Sequence, residues 1–274
     1  MSEYSILRPK LDPVFKALFR NNQPLLKAML EALLDYPEGS IQYLEILSPE
    51  IAPDKADNKT GFMDMKIKVD DTIVNVEIQL HTQDSYRERA LFYWAKAYVD
   101  DFHRGQDFSE LKQTISINIV DCPIFGKDNR KVSSTFALLE TTDHEMLTDK
   151  CIFKFFVLPR LDRVVDKSDK KKLWLQFLNA ETKEELDMLE QTKVPEIKNA
   201  VIKLHEFSAD EIHREEIRLY EKALSDHVST IGTARREGIK VGIVKGRSEE
   251  REEIITLLRE SGMSDEEIKR RLKL

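Results

Sequence analysis

Long apolar runs are missing from this 274-residue chain. Nothing approaches the roughly 18 consecutive apolar residues of a membrane span, so no membrane partner is expected. Cysteine is nearly absent. Cys122 and Cys151 are the only two, too far apart for a zinc knuckle and each beside an apolar run. Buried free thiols in a reducing cytoplasm are the expectation. The opening Met-Ser-Glu-Tyr-Ser lacks the basic-then-apolar pattern of a secretory signal, which agrees with a cytoplasmic location. An excess of positive charge is missing too: 43 Lys and Arg against 50 Asp and Glu leave a net charge of -7. That argues against a general polyanion binder, though local basic groups and metal-masked carboxylates still allow a nucleic-acid enzyme. What is present is 41% hydrophobic and 34% charged residues. Such a chain buries a core beneath a highly charged surface, as one large domain or an average domain with an appendage.

Hydrophobic spacing predicts helix from about Pro13 to Leu34, broken at Asn21-Asn22-Gln23-Pro24 and closed by Pro37-Glu38-Gly39. Strands are expected over Ile41–Leu47 (ending before Pro49), Phe62–Val69 and Ile73–Leu80, the last two with clean period-two alternation. Ser85–Arg104 switches to helical period, with Leu91, Trp94, Ala95, Tyr98 and Phe102 as its apolar stripe. Thr114–Val120 reads as a buried strand, and Ser134–Leu139 and Ile152–Leu158 as further strands. Beyond a boundary near residue 165, Leu173–Asn179, Lys183–Leu189, Pro195–Phe207 and Ala209–Val228 read as helices. This order points to an α/β (α+β) arrangement with a helical C-terminal region. Residues 1–165 form the sheet-bearing domain, 166–230 a helical region and 231–274 a tail.

In the tail, Gly238, Gly242 and Gly246 recur every four residues behind Arg235 and Arg236. Glycine at that spacing lines one helical face and lets another backbone approach, at a cost of about 1 kcal/mol each in water. Two readings stand: a close-packed helix pair or homo-oligomer contact, or a frayed linker. Glu249–Leu274 is expected as two short helices, the first ended by Gly262 and the second started by a capping box at Ser264 to Glu267. The pair resembles the opening of a helix-turn-helix motif, with no third helix behind it.

The segment GFMDMKIKVDDTIVNVEIQL, residues 61–80, carries the chemistry. Met63, Met65, Ile67 and Val69 share one face of the first strand, leaving Asp64, Lys66 and Lys68 on the other. In the second strand, Asn75, Glu77 and Gln79 oppose Val74, Val76, Ile78 and Leu80. A two-residue turn at Asp70-Asp71 pairs Val69 with Thr72, and that register sets Asp64 directly across from Glu77. Opposed residues share a face with Cβ atoms about 4.5–5.5 Å apart. Two like charges there need compensation, and magnesium, bound by one or two carboxylates and several waters, supplies it. Lys66 and Lys68 on an exposed, mixed-charge sheet face are the alternative.

These residues resemble the PD-(D/E)XK nuclease superfamily, and within it the recombination-promoting nucleases (the Rpn family), often labelled transposases. The resemblance rests on Asp64 followed by VEIQ (Val76 to Gln79), and on LDPVFKALF, YRERALFYWAKAY and HRGQDFSELKQTISINIV. It covers roughly residues 8 to 125, together with the glycine-repeat tail. It implies a restriction-endonuclease-like mixed sheet flanked by helices, with magnesium, or manganese, held by Asp64, Glu77 and the Ile78 backbone carbonyl. The third motif position, usually Lys, is Gln79 here. A lysine would bring positive charge to the attacking water, whereas glutamine only orients it by hydrogen bonding. By the same resemblance Asp12 and Lys16 approach the site, Asp12 as an outer carboxylate. A surface i,i+4 ion pair is the other reading. Arg89 either holds a DNA phosphate or orients Glu77, with Tyr93 beneath it, unless it is a salt bridge on a solvated face. Arg87 faces phosphate only weakly, and His81 is given no role.

The implied reaction is hydrolysis of a DNA phosphodiester by a metal-dependent endonuclease linked to recombination, transposition or mobile elements. Asp64, Glu77, Gln79 and Asp12 form the catalytic set, and Arg89, Tyr93 and Lys16 contact the substrate. The rival is a transposon-derived accessory protein that binds DNA or oligomerises and cuts poorly. The missing lysine and the acidic net charge favour that rival.

Overall fold

The computed structural model describes residues 5–47, 50–51, 61–62, 64–81, 85–100, 102–126, 130–162, 164, 166, 168–192 and 194–272. Met63 of the expected strand Phe62–Val69, and Pro49 beyond the end of the first expected strand, lie outside the described residues. The chain divides into two compact units, Met1–Arg214 and Glu215–Leu274.

In the first unit, helices α1 (Asp12–Phe19) and α2 (Gln23–Leu34) part at the expected break. Pro13 sits in the first turn of α1, and the Leu25 N–H donates to the Asn22 side chain at 3.3 Å, capping α2. Strands β1 (Leu44–Leu47), β2 (Glu50–Ile51), β3 (Gly61–Phe62), β4 (Met65–Val69) and β5 (Thr72–Gln79) follow. After α3 (Tyr86–Val99) come β6 (Thr114–Val120), β7 (Ser133–Leu139) and β8 (Met146–Val157), then α4 (Lys170–Asn179), α5 (Lys183–Glu190) and α6 (Pro195–Ala209). Six strands form one mixed sheet in the order β1-β4-β5-β6-β8-β7, and β2 pairs with β3 apart from it. β5, β6 and β8 run parallel, while β1, β4 and β7 are antiparallel to their neighbours. This is the mixed, helix-flanked α+β arrangement the sequence implied.

The β4–β5 register is the expected one, with Val69 opposite Thr72 and Met65 opposite Val76. Asp70 takes the left-handed conformation at the turn (φ 48°). Its carboxylate accepts from the Tyr43 N–H at 2.8 Å, which ties the turn to the chain entering β1.

Side chains of register partners share a face, so the sheet has two distinct surfaces. One carries Met65, Ile67, Val69, Val74, Val76, Ile115, Ile117, Ile119 and Phe156, all buried. Lys154 of that face reaches Asp35 at the C-cap of α2 at 2.8 Å, placing α2 over it. Phe15, Phe19, Trp174 and Phe177 build an aromatic core among α1 and α4, with ring centroids 4.8 to 5.9 Å apart. α4 packs on α2 and α6. Residues beyond 165 therefore belong, up to residue 214, to the same compact unit as the sheet.

The other face lies under α3, and here one expectation is corrected. Leu91 and Ala95 of the expected stripe point outward, and the buried α3 residues are Tyr86, Ala90 and Ala97. Trp94 is half-buried, stacks on Tyr98 at 5.0 Å and donates to the Thr114 carbonyl at 2.8 Å. Counting large apolar side chains picks the wrong stripe, because a helix that approaches a sheet closely needs small residues at the contact.

The second unit holds most of α7 (Glu211–Glu260), one 50-residue helix, and α8 (Asp265–Leu272). The helices expected from Ala209 and from Glu249 are thus parts of one element. α7 runs unbroken through Gly238, Gly242 and Gly246, and a Cβ built on any of them meets nothing within 4 Å. No close-packed partner sits there among the described residues. A cost of about 1 kcal/mol per glycine fails to stop a helix that has no proline or cap in the segment. The stop comes at Gly262 (φ 88°), where the Gly262 N–H donates to the Arg259 carbonyl and the Met263 N–H to the Leu258 carbonyl. The expected capping box follows: the Glu267 N–H donates to Ser264 Oγ at 3.4 Å and the Ser264 N–H to Glu267 Oε2 at 3.2 Å.

Candidate active site

Asp64 sits at a bend immediately before β4, one step past the last rung of the ladder. Its side chain replaces the missing backbone acceptor. The Ile78 N–H donates to Asp64 Oδ2 at 2.7 Å, and the Asp64 N–H donates to Glu77 Oε1 at 3.3 Å. The two acids are therefore in contact, although Asp64 lies outside the regular strand expected for it. In a strand the N–H and C=O of one residue point to the same side, so the Ile78 carbonyl points toward the β4 side of β5, beyond the paired region.

The surface holding these groups is buried rather than water-facing. Glu77 is 3% exposed and Asn75 fully buried. Burial is the first cause that pushes the Glu77 carboxyl up, to about 8, and the Asp64 charge adds to it. Arg89, the Asp64 N–H and the Asn75 side chain pull the other way. Asn75 comes near enough to favour the carboxylate, while its amide atoms stay outside hydrogen-bond geometry. Burial likewise raises Asp64 to about 6, opposed next by the Ile78 N–H; Asp12 raises it further, while Lys16 and Arg89 lower it.

Asp12 and Lys16 form the i,i+4 ion pair at 2.8 Å, and their charges act on Asp64. The ion pair is thus present, and its charges reach the site. Arg89 Nη2 donates to Gln79 Oε1 at 2.8 Å, and its guanidinium lies 5.1 Å from the Tyr86 ring centroid and 5.8 Å from that of Tyr93. The other end of the Gln79 amide donates to the His81 carbonyl. Arg87 is exposed. The two lysines offered as compensating charge are engaged elsewhere: Lys66 pairs with Asp100, and Lys68 lies over the Tyr43 ring at 5.5 Å. Arg89 is the cation that acts on both acids. Asp12, Lys16, Asp64, Glu77, Ile78, Gln79, Arg89 and Tyr93 thus converge on one end of the sheet.

A match to PD-(D/E)XK nuclease family transposases spans residues 9–234. The chain belongs to this family. No curated protein and no solved structure matches it. No described helix is long and apolar enough to cross a membrane.

Among the described residues no three His, Cys, Asp or Glu side chains cluster as metal ligands. Two carboxylates and a backbone carbonyl nonetheless suit magnesium, which takes few protein ligands and keeps several waters. Reading the sequence missed Tyr86, Ser116 and Asn118, all buried on the site's face. The signal was there: in TISINIV the polar Thr114, Ser116 and Asn118 alternate with isoleucine, an odd choice for a strand buried on both sides.

Proposed function

We propose that this protein is a magnesium-dependent DNA endonuclease serving recombination, transposition or mobile elements, with Asp64 and Glu77 as its metal-holding acids. The supporting observation is the Asp64 N–H donating to the buried Glu77 carboxylate at 3.3 Å, which brings the two acids close enough for each charge to act with Arg89 on the same spot. Two such acids either take up a proton or share a cation. Magnesium or manganese, when bound, supplies the positive charge that polarises a phosphodiester and acidifies water. Asp64 and Glu77 hold that cation together with the Ile78 carbonyl, and Asp12 adds an outer carboxylate. Arg89 and Lys16 steady the non-reacting phosphate oxygens, and Tyr93 packs against the Arg89 guanidinium. Gln79, held between Arg89 and the His81 carbonyl, orients the arginine first and water only through it. Arg89 then brings from a neighbouring helix the charge that lysine brings from the strand in the usual motif.

Supercoiled plasmid is expected to be nicked with magnesium or manganese and left intact with EDTA. A plasmid untouched under every divalent ion would sink the reading. One observation favours the accessory-protein alternative: both ends of the Gln79 amide are occupied. Calorimetry separates the two, since a relic that only binds DNA or oligomerises shows no saturable manganese site.

The tail pairs two cores as a homodimer in this reading. α7 leaves Ile239, Val241, Ile243 and Val244 more than half exposed, and a second copy would cover them. Removing residues 231–274 is expected to lower the solution mass from dimer to monomer, by sedimentation, and to leave single-strand nicking in place. An unchanged mass would refute the pairing.

A further inference from the structure

Tyr86, Ser116 and Asn118 form a buried polar group under α3 that the proposed reaction leaves unused. Burying such groups costs stability that apolar side chains of similar size would not. The opposite face of the same strands is filled by Val74, Val76, Ile115, Ile117 and Ile119, which is what this sheet carries where packing alone matters. The polar set is also connected. Tyr86 Oη donates to Asn118 Oδ1 at 3.0 Å, and Asn118 Nδ2 donates to Ser116 Oγ at 3.0 Å and to the Ser116 carbonyl at 3.3 Å. Asn118 is the register partner of Glu77 on the neighbouring strand.

Tyr86 meets the site from its other side as well. Its ring lies beneath the Arg89 guanidinium, 5.1 Å from centroid to Cζ, and Arg89 in turn donates to Gln79. It occupies the first turn of α3, where Ser85, the N-cap residue, makes no side-chain cap. The hydroxyl bond to Asn118 therefore ties down a helix start that lacks the usual cap.

We propose that Tyr86 is a positioning residue: its hydroxyl, held by Asn118, locks the first turn of α3 so that Arg89 stands at a fixed height over Glu77. The inference rests on reading Asp64 and Glu77 as the divalent-ion site and adds the residue that aligns the arginine with it.

Tyr86→Phe removes one oxygen and keeps the ring under Arg89. The full chain is compared with Tyr86→Phe, Arg89→Met and the double variant. The measurements are hydrogen–deuterium exchange, thermal unfolding and manganese-dependent plasmid nicking. Tyr86→Phe is expected to speed amide exchange in the first turn of α3 alone and to lower kcat roughly tenfold, with KM for DNA within about twofold. Its loss is expected to vanish in the Arg89→Met background, which a merely structural tyrosine would not show. Unchanged exchange in that turn, unchanged kcat, or additive losses would each overturn the role. A parent chain that neither nicks nor binds manganese saturably overturns the site reading itself, and the positioning role with it.

Discussion

Glu77→Ala is expected to reduce metal-dependent cleavage by about 10³-fold or more, by analogy with the loss of one transition-state-stabilising group in other enzymes. It should do so with little net change in the stability of the metal-free protein at neutral pH, where loss of the acceptor that the Asp64 N–H meets at 3.3 Å is offset by removal of a carboxyl that is unfavourable to ionise. The carboxyl it removes is 3% exposed and costs free energy to ionise where it stands. Asp64→Ala is expected to abolish cleavage equally but to differ in stability. It strips the partly buried Ile78 N–H of the charged acceptor it meets at 2.7 Å, which costs on the order of 1 kcal/mol. Plasmid nicking beside thermal unfolding separates the two variants: both inactive, with only Asp64→Ala losing its melting temperature. Two variants that cut like the parent would show that these acids are not the site.

The second large effect is on the pH dependence of stability without metal. Both acids hold protons more tightly folded than unfolded, at about 6 for Asp64 and about 8 for Glu77, against ordinary values of 3.8 and 4.5. Below about pH 3 both are neutral in either state, and their stabilising contribution is fully present. As pH rises the unfolded chain releases those protons first, so stability falls through about pH 6 and again through about pH 8. The loss between pH 5 and pH 8 is on the order of 5 kcal/mol, or roughly 10 °C or more in melting temperature for a chain of this size. Glu77→Gln is expected to flatten most of that slope. Magnesium or manganese is expected to raise the melting temperature of the parent more at pH 8 than at pH 6, because the ion competes with protons for the same oxygens. A parent whose metal-free melting temperature stays level or rises across this range would show that the acids are not buried as described.

Reading the hairpin succeeded because a two-residue turn and period-two alternation leave one register that keeps Met65, Ile67, Val74 and Val76 on a single face. The opposite face is a different matter. Lys66, Asn75 and Glu77 look like a wet surface along the strand, since alternation of polar and apolar residues records two unlike faces without recording what covers each. α3 covers this one, resting on Ala90 and Ala97. Its own sequence points instead to the larger Leu91, which is 53% exposed. The family resemblance points to Arg89, while Tyr86, one turn earlier on α3, carries no such mark. A tyrosine at a helix start carries no local sign that its hydroxyl will meet an asparagine 32 positions away.

The sequence by itself determined the order of the main strands and helices of the first unit, the β4–β5 register and the family. Each of these depends on near neighbours, on spacing and on turn chemistry. Only the tertiary structure decided that Asp64 leaves the ladder to take the Ile78 N–H, that Lys66 and Lys68 turn to other partners, and that Arg89 acts on both acids. Those outcomes depend on which distant segment covers which face. Burial then sets how much a charge costs and which cation is near enough to offset it.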